Sequence, residues 1–214
     1  SDDRFNRRRF LRYLAASPLL AALPARLAVA KEFAKLHPLI DDPAQALSVF
    51  DFEAVARETL PPAHWGYLAT GVGDDATVEA NHTAYRKIRL RPRRLVDVSR
   101  TDARVTLSAQ RWPTPILLLP AGSQRAFHPD GEIAVARAAR EREHLQILSS
   151  VTTSSVEDVT AARGAPVWYQ LYPTSNWSVT QALLRRAEGA GCQALVLTVD
   201  LPVDSNRETL RRSV

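Results

Sequence analysis

A single cysteine, Cys192, stands among the 214 residues, which excludes an intrachain disulfide framework and any zinc or iron–sulfur centre built from cysteines. The thiol reads as a small packing residue. Glycine at 8 and proline at 14 are too few for collagen-like or low-complexity chains, and a 45% hydrophobic composition excludes disorder. No P-loop, no His-Glu-x-x-His and no Gly-x-Ser-x-Gly occurs. His128-Pro129-Asp130-Gly131-Glu132 lacks metal-ligand spacing, and the histidines at 37, 64, 82, 128 and 144 read as surface or packing residues, so no metal site is expected. No apolar run reaches the ~20 residues that cross a bilayer, so no membrane span is expected. Most of the chain also lacks a charge excess. The net charge is +5, but residues 1–30 hold Arg4, Arg7, Arg8, Arg9, Arg12 and Arg26 against Asp2 and Asp3, leaving 22 basic and 21 acidic residues elsewhere. That balance excludes a basic nucleic-acid footprint on the folded part.

What is present begins with an address. Asn6-Arg7-Arg8-Arg9-Phe10-Leu11-Arg12 precedes a mostly apolar run from Tyr13 to Leu23 and the small residues Ala28-Val29-Ala30, the three regions of an export signal in order. Its Arg-Arg-x-Phe-Leu core resembles the twin-arginine signal, with Asn6 where Ser or Thr is usual. Residues 1–30 are therefore expected to direct export, with a mature chain from Lys31 in the periplasm. Residues 31–46, with Pro38, Asp41, Asp42 and Pro43, read as an irregular lead-in to a domain over 47–214.

Apolar spacing predicts a helix over Ser48 to Thr59, stopped by Pro61-Pro62, then helices from Ala63 to Thr70 and from Asp75 to near Tyr85. The alternation across Arg86 to Arg94 predicts an edge strand with solvated arginines. From Pro115 a β-then-α pattern repeats. Strands are predicted at Ile116 to Leu119, Leu145 to Ser149, Val167 to Tyr172 and Ala194 to Val199. Between them lie a helix starting near Asp130 with Ile133, Ala136 and Ala139 on one face, and one opened by a capping-box spacing at Ser154 to Glu157. A third carries the stripe Val179, Leu183, Ala187 and ends near Gly189-Ala190-Gly191. Four such units imply right-handed parallel crossovers, hence a doubly wound sheet or part of a (β/α)8 barrel. Ser149, Gln170, Tyr172 and Thr198 all fall at C-terminal strand ends, where barrel active sites assemble, so the expected fold is α/β, with N-terminal helices followed by the first four β/α units of an incomplete barrel.

Gly71-Val72-Gly73-Asp74-Asp75-Ala76 formally matches a dinucleotide fingerprint, but it follows a helix rather than a strand and has no scaffold for a pyrophosphate turn. The ordered set Tyr67, Pro120-Ala121-Gly122, Ser149-Ser150, Gln170-Leu171-Tyr172, Thr198-Val199-Asp200 and Arg207-Glu208 is more specific. It resembles the N-terminal half of the FMN-dependent α-hydroxy-acid oxidoreductases, the family of glycolate oxidase, L-lactate dehydrogenase and mandelate dehydrogenase, across about residues 47–214. The resemblance implies FMN as cofactor, contacted by Pro120, Ala121 and Gly122 through backbone groups and by Ser149, Gln170 and Thr198 through side chains. It implies a small 2-hydroxy acid as substrate, bound by Tyr67, Tyr172 and Arg207, whose guanidinium pairs well with a carboxylate. His128 to Glu132 matches a family motif read as structural.

Val151 replaces a tryptophan found beside the substrate in glycolate oxidase, and Ala121-Gly122 stands where Thr-Ala is common, leaving the substrate side chain and the electron acceptor open. Val214 is expected in the loop after the fourth strand. The resemblance places the general-base histidine, a second substrate arginine and the phosphate loops in a second half, so no catalytic base is expected in this chain. Unpaired first and fourth strands would call for a complementary chain or a homo-oligomer. Two other readings stay open: a non-catalytic half-barrel subunit, and a different barrel enzyme sharing only architecture.

Overall fold

The structure, a computed structural model, describes residues 39–201 and 203–213. The export-signal region, the start of the lead-in and Val214 lie outside these residues. The chain divides into two units, Ser1–Trp65 and Gly66–Val214.

In the first unit a 3-10 turn, Pro43–Gln45, is capped by Asp42, whose Oδ1 accepts the Ala44 N–H at 2.8 Å. Helix α1 spans Asp51–Thr59. It starts three residues later than the apolar stripe predicts, because Asp51 Oδ2 accepts the N–H groups of Leu47 and Ser48 at 2.7 and 2.9 Å and holds them in a preceding turn. Helix α2, Pro62–Ala69, opens on a proline, whose missing N–H costs nothing at the first helical position.

The second unit continues with α3, Ala76–Ala84, and a 3-10 turn at Tyr85–Lys87. The edge strand predicted over Arg86 to Arg94 does not form: residues 88–94 follow the turn as irregular, exposed chain. Alternation alone makes no strand without a ladder partner, and Pro92 has no N–H to offer one. A hairpin follows instead, β1 at Val105–Leu107 and β2 at Gln110–Trp112, antiparallel with Leu107 opposite Gln110. Its two-residue turn, Ser108-Ala109, has φ of 48° and 62°. Both residues are left-handed without the glycine or asparagine that usually announces such a turn, so the sequence carried no signal for it.

Strands β3 (Leu117–Leu118), β4 (Leu145–Ser149), β5 (Trp168–Leu171) and β6 (Leu195–Leu197) form one parallel sheet in the order β3-β4-β5-β6. Strictly sequential order is what a barrel wall requires, whereas a doubly wound sheet reverses at a switch point. Only β4 reaches its full predicted length. All five of its residues are buried, while among the described residues β3 and β6 each have a single partner and pair over two and three residues. Helices α4 (Gly131–Glu141), α5 (Val156–Arg163) and α6 (Trp177–Gly189) follow β3, β4 and β5. A six-residue helix, α7 (Glu208–Ser213), occupies part of what reads as loop after β6, with Arg212 paired to Glu208 at 3.1 Å one turn apart.

One sheet face packs on the helices. Leu148, Tyr169 and Leu171 form the core there with Ala136, Val156, Val159, Val167 and Ala187. Each fully buried Leu or Val contributes about 1.5–3 kcal/mol. The stripe on α6 is Thr180, Leu183, Leu184 and Ala187, at helical spacing; Val179, read as part of it, is 45% exposed. Thr180 earns its buried place by accepting the Thr174 N–H at 3.0 Å. The cap of α5 is also shifted. Ser155, not Ser154, accepts the Asp158 N–H at 3.0 Å, and Glu157 pairs across to Arg186 of α6 at 2.7 Å.

At the far end of α5, buried Arg163 donates to the carbonyls of Pro166 (2.7 Å) and His144 (2.9 Å) and lies 5.6 Å from the Trp112 ring centre. It ties the hairpin to the start of β4 while burial lowers its pKa. Gly164 then ends the helix at φ +74°. Gly164→Ala is expected to lower stability by about 1 kcal/mol, measured by urea denaturation, because the left-handed C-cap penalises a Cβ.

Candidate cofactor and substrate site

Pleating decides which strand-end side chains share a face. Ser149 is directly opposite Gln170, Gln170 is opposite Val196, and Thr198 follows Val196 by two residues, so all three polar side chains fall on the face turned away from the helices. They join into one rail. Ser149 Oγ donates to Gln170 Oε1 at 2.9 Å, and Gln170 Nε2 donates to Thr198 Oγ1 at 2.7 Å. Ser149 Oγ also accepts the Val151 N–H at 3.1 Å, which fixes the hydroxyl from its other side. With Ser149 and Gln170 at 3% and 2% exposed, the rail is rigid and carries no formal charge. Tyr172 sits one position beyond β5, its N–H donated to Ser150 Oγ at 2.9 Å.

The loop after β3 lies against the loop after β4. Ser123 N–H donates to the Val151 carbonyl at 2.8 Å, and Gln124 Nε2 to the Ala121 carbonyl at 3.1 Å. A Cβ at Gly122 would lie 3.3 Å from both Cβ and O of Val151, so the tripeptide Pro120-Ala121-Gly122 approaches its neighbour as closely as glycine allows.

Both loops are held by Glu132, a residue read from sequence only as part of a structural motif. It is fully buried in the first turn of α4. Oε1 accepts the N–H groups of Thr153 (2.9 Å) and Gln124 (3.3 Å), and Oε2 accepts the hydroxyls of Ser154 (3.0 Å) and Thr153. Burial pushes the carboxyl pKa up, but the bonds from Thr153 and the surrounding backbone outweigh it and hold the value at about 2. The helix N-terminus adds a favourable field.

Tyr67 and Arg207, 140 residues apart, meet at a second point. Arg207 Nη1 donates to the carbonyls of Tyr67 (3.1 Å) and Thr70 (3.0 Å) at the end of α2, and the guanidinium stacks 4.3 Å from the Tyr67 ring centre. Both of these bonds use Nη1. Among the described residues no hydrogen bond joins this pair to the rail, and no group of three or more His, Cys, Asp or Glu is placed to hold a metal. No described helix is long and apolar enough to cross a membrane.

The model of the FMN-dependent dehydrogenase family matches residues 56–214. The chain belongs to this family. It is 40% identical over 162 residues to a peroxisomal (S)-2-hydroxy-acid oxidase of Oryza sativa subsp. indica, covering 76% of this chain and 44% of that protein. With 2-hydroxyacid oxidase 2 of Rattus norvegicus it shares 39% identity over 166 residues, 76% of this chain and 46% of the relative. The crystal structure of mandelate oxidase superposes with a TM-score of 0.73 at 36% identity, covering 78% of this chain and 49% of that one. The chain thus spans about half the length of the relatives it matches. FMN is the family's cofactor, and the sequential four-stranded sheet is the first part of its α/β barrel.

Proposed function

We propose that this chain forms the N-terminal cofactor- and substrate-binding part of an enzyme that oxidises a 2-hydroxy acid to a 2-oxo acid with FMN. The Ser149–Gln170–Thr198 rail carries the reading. Its chemistry fits the polar edge of a flavin, which alternates carbonyl acceptors with an N–H donor. The Gln170 amide keeps one N–H and one acceptor lone pair, Thr198 keeps its hydroxyl proton, and no charge competes. Pro120, Ala121 and Gly122 would lie along the ring through backbone groups. Bound FMN supplies the hydride acceptor.

For the substrate, Arg207 offers Nη2 and Nε to the carboxylate, while Tyr67 and Tyr172 offer phenolic hydroxyls to fix its oxygens. The base that takes the hydroxyl proton is proposed to come from a complementary set of strands. The sheet supports such a partner, whether a second chain or a second copy: Leu195 and Leu197 share the side of Tyr169 and Leu171 yet are 49% and 52% exposed, and among the described residues β6 has one bare edge. The relatives' names include peroxisomal proteins, whereas the Asn6 to Ala30 pattern here supports periplasmic export of residues 31–214.

The test is an absorbance spectrum of the purified chain with added FMN, before and after glycolate. A protein-bound flavin spectrum is expected, with bleaching by glycolate once the complementary half is present. Free flavin alone at saturating chain would overturn the reading.

A further inference from the structure

Thr180 is fully buried at the head of an α6 stripe otherwise made of Leu183, Leu184 and Ala187, a place where a helix ordinarily carries an aliphatic side chain. We propose that Thr180 and Ser150 are positioning residues for Tyr172: their hydroxyls pin the loop after β5 at Tyr172 itself and two residues beyond, and so fix where the phenol stands relative to the cofactor rail. The inference rests on the reading that Tyr172 receives the substrate.

Among the described residues the Tyr172 phenol makes no hydrogen bond, so the direction of the side chain is inherited from the backbone that carries it. Ser150 holds that backbone at its start. Ser150 N–H donates to the Gln170 carbonyl at 2.8 Å, continuing the β4–β5 pairing, and the Tyr172 N–H then donates to Ser150 Oγ at 2.9 Å. A continued parallel ladder would give that N–H to the Ser150 carbonyl. The hydroxyl takes it instead, and the chain leaves the sheet at Tyr172 without a bare donor.

The second tie lies two residues on. Thr174 N–H donates to Thr180 Oγ1 at 3.0 Å. Thr174 Oγ1 donates to the Asn176 carbonyl at 2.8 Å, so in the 3.2 Å contact between the two hydroxyls Thr180 is the donor. Every proton of this set has a partner, as a buried hydroxyl requires. Between the two ties stands only Pro173, whose ring fixes its own φ and keeps Tyr172 out of the helical region. The backbone of Tyr172 is therefore held from both directions across a stiff link.

Ser149 and Gln170 belong to the rail, and Ser150 and Tyr172 stand one and two residues beyond them. A tyrosine hung on that frame keeps its distance to whatever the rail holds. Released from it, the phenol would meet a substrate oxygen in many orientations, losing the preorganisation that binding requires.

The experiment follows the Tyr172 ring resonances in the full chain labelled with 13C-tyrosine, assigned with Tyr172→Phe, together with deuterium exchange of the Tyr172 and Thr174 amides. Wild type, Ser150→Ala, Thr180→Val and Thr180→Ser are compared, each with a thermal melt and a glycolate titration in the presence of FMN. Ser150→Ala is expected to speed exchange of the Tyr172 amide about tenfold, and Thr180→Val that of the Thr174 amide. Both are expected to move the Tyr172 ring signal at least halfway to that of free tyrosine and to weaken glycolate binding about tenfold. Thr180→Ser keeps the hydroxyl and is expected to stay with wild type. A merely structural role would lower the melting temperature and leave the ring signal in place. A ring signal unmoved in either Ser150→Ala or Thr180→Val overturns the proposal, and so does Thr180→Ser displaced as far as Thr180→Val, since packing rather than the hydroxyl would then be responsible. Should Thr180→Val not fold, Ser150→Ala decides alone. If glycolate leaves the wild-type ring signal unmoved, the substrate reading fails, and the ring signals of the variants still judge the positioning.

Discussion

Replacing Glu132 with leucine is expected to destabilise the fold by about 3–5 kcal/mol, because it removes a fully buried carboxylate on which four donors from two loops converge. The Thr153 and Gln124 N–H groups and two hydroxyls all converge on it, and Glu132 and Ser154 are buried. Glu132→Gln separates charge from shape. The native carboxyl titrates at about 2 against an ordinary value of 4.5. A lowered pKa in the folded state means that this stabilisation is complete above about pH 4.5 and is lost as the pH falls from there to about 2. The difference is worth about 3 kcal/mol. Urea midpoints measured between pH 2 and 6 should therefore fall less steeply for Glu132→Gln than for wild type. An identical acid limb would show that the carboxylate does not carry this linkage.

Gln170→Leu is expected to weaken FMN binding by at least about 100-fold, read by quenching of flavin fluorescence, since it breaks the rail at its centre. Leucine fills a similar volume but removes the acceptor for Ser149 and the donor to Thr198 together. Stability should drop by about 1–3 kcal/mol, the cost of leaving the buried Ser149 hydroxyl short of a partner. The core itself should survive, because Gln170 faces away from Leu148, Tyr169 and Leu171. Equal FMN affinity in wild type and Gln170→Leu would remove the rail from the cofactor site.

Much of the frame was legible in the residues. Leu145 to Ser149 reads as a strand and forms one to the residue, all five of its residues buried. Ala136 and Ala139 on α4 are fully buried where the helical stripe puts them. The sequence put Ser149, Gln170 and Thr198 at C-terminal strand ends, and the register of the paired strands brings them onto one face. Where the reading went astray, a local pattern lacked its partner. Arg86 to Arg94 alternates like a strand but has none beside it among the described residues, and Ser108-Ala109 turns a hairpin that no glycine announces. Val179 yields its place to Thr180, whose hydroxyl is satisfied by a residue outside the helix.

By itself, then, the sequence determined the alternating strands and helices from β3 to β6, the strand ends at which Ser149, Gln170 and Thr198 fall, and the family to which they belong. These depend on periodicities of two and 3.6 residues and on motifs read within a few positions. The tertiary structure alone decided that Glu132 clamps two loops across 21 residues and that Arg207 reaches back 140 residues to Tyr67. Such contacts depend on how separate elements pack, and a buried carboxylate or guanidinium acquires its role only from the donors and acceptors that packing brings to it.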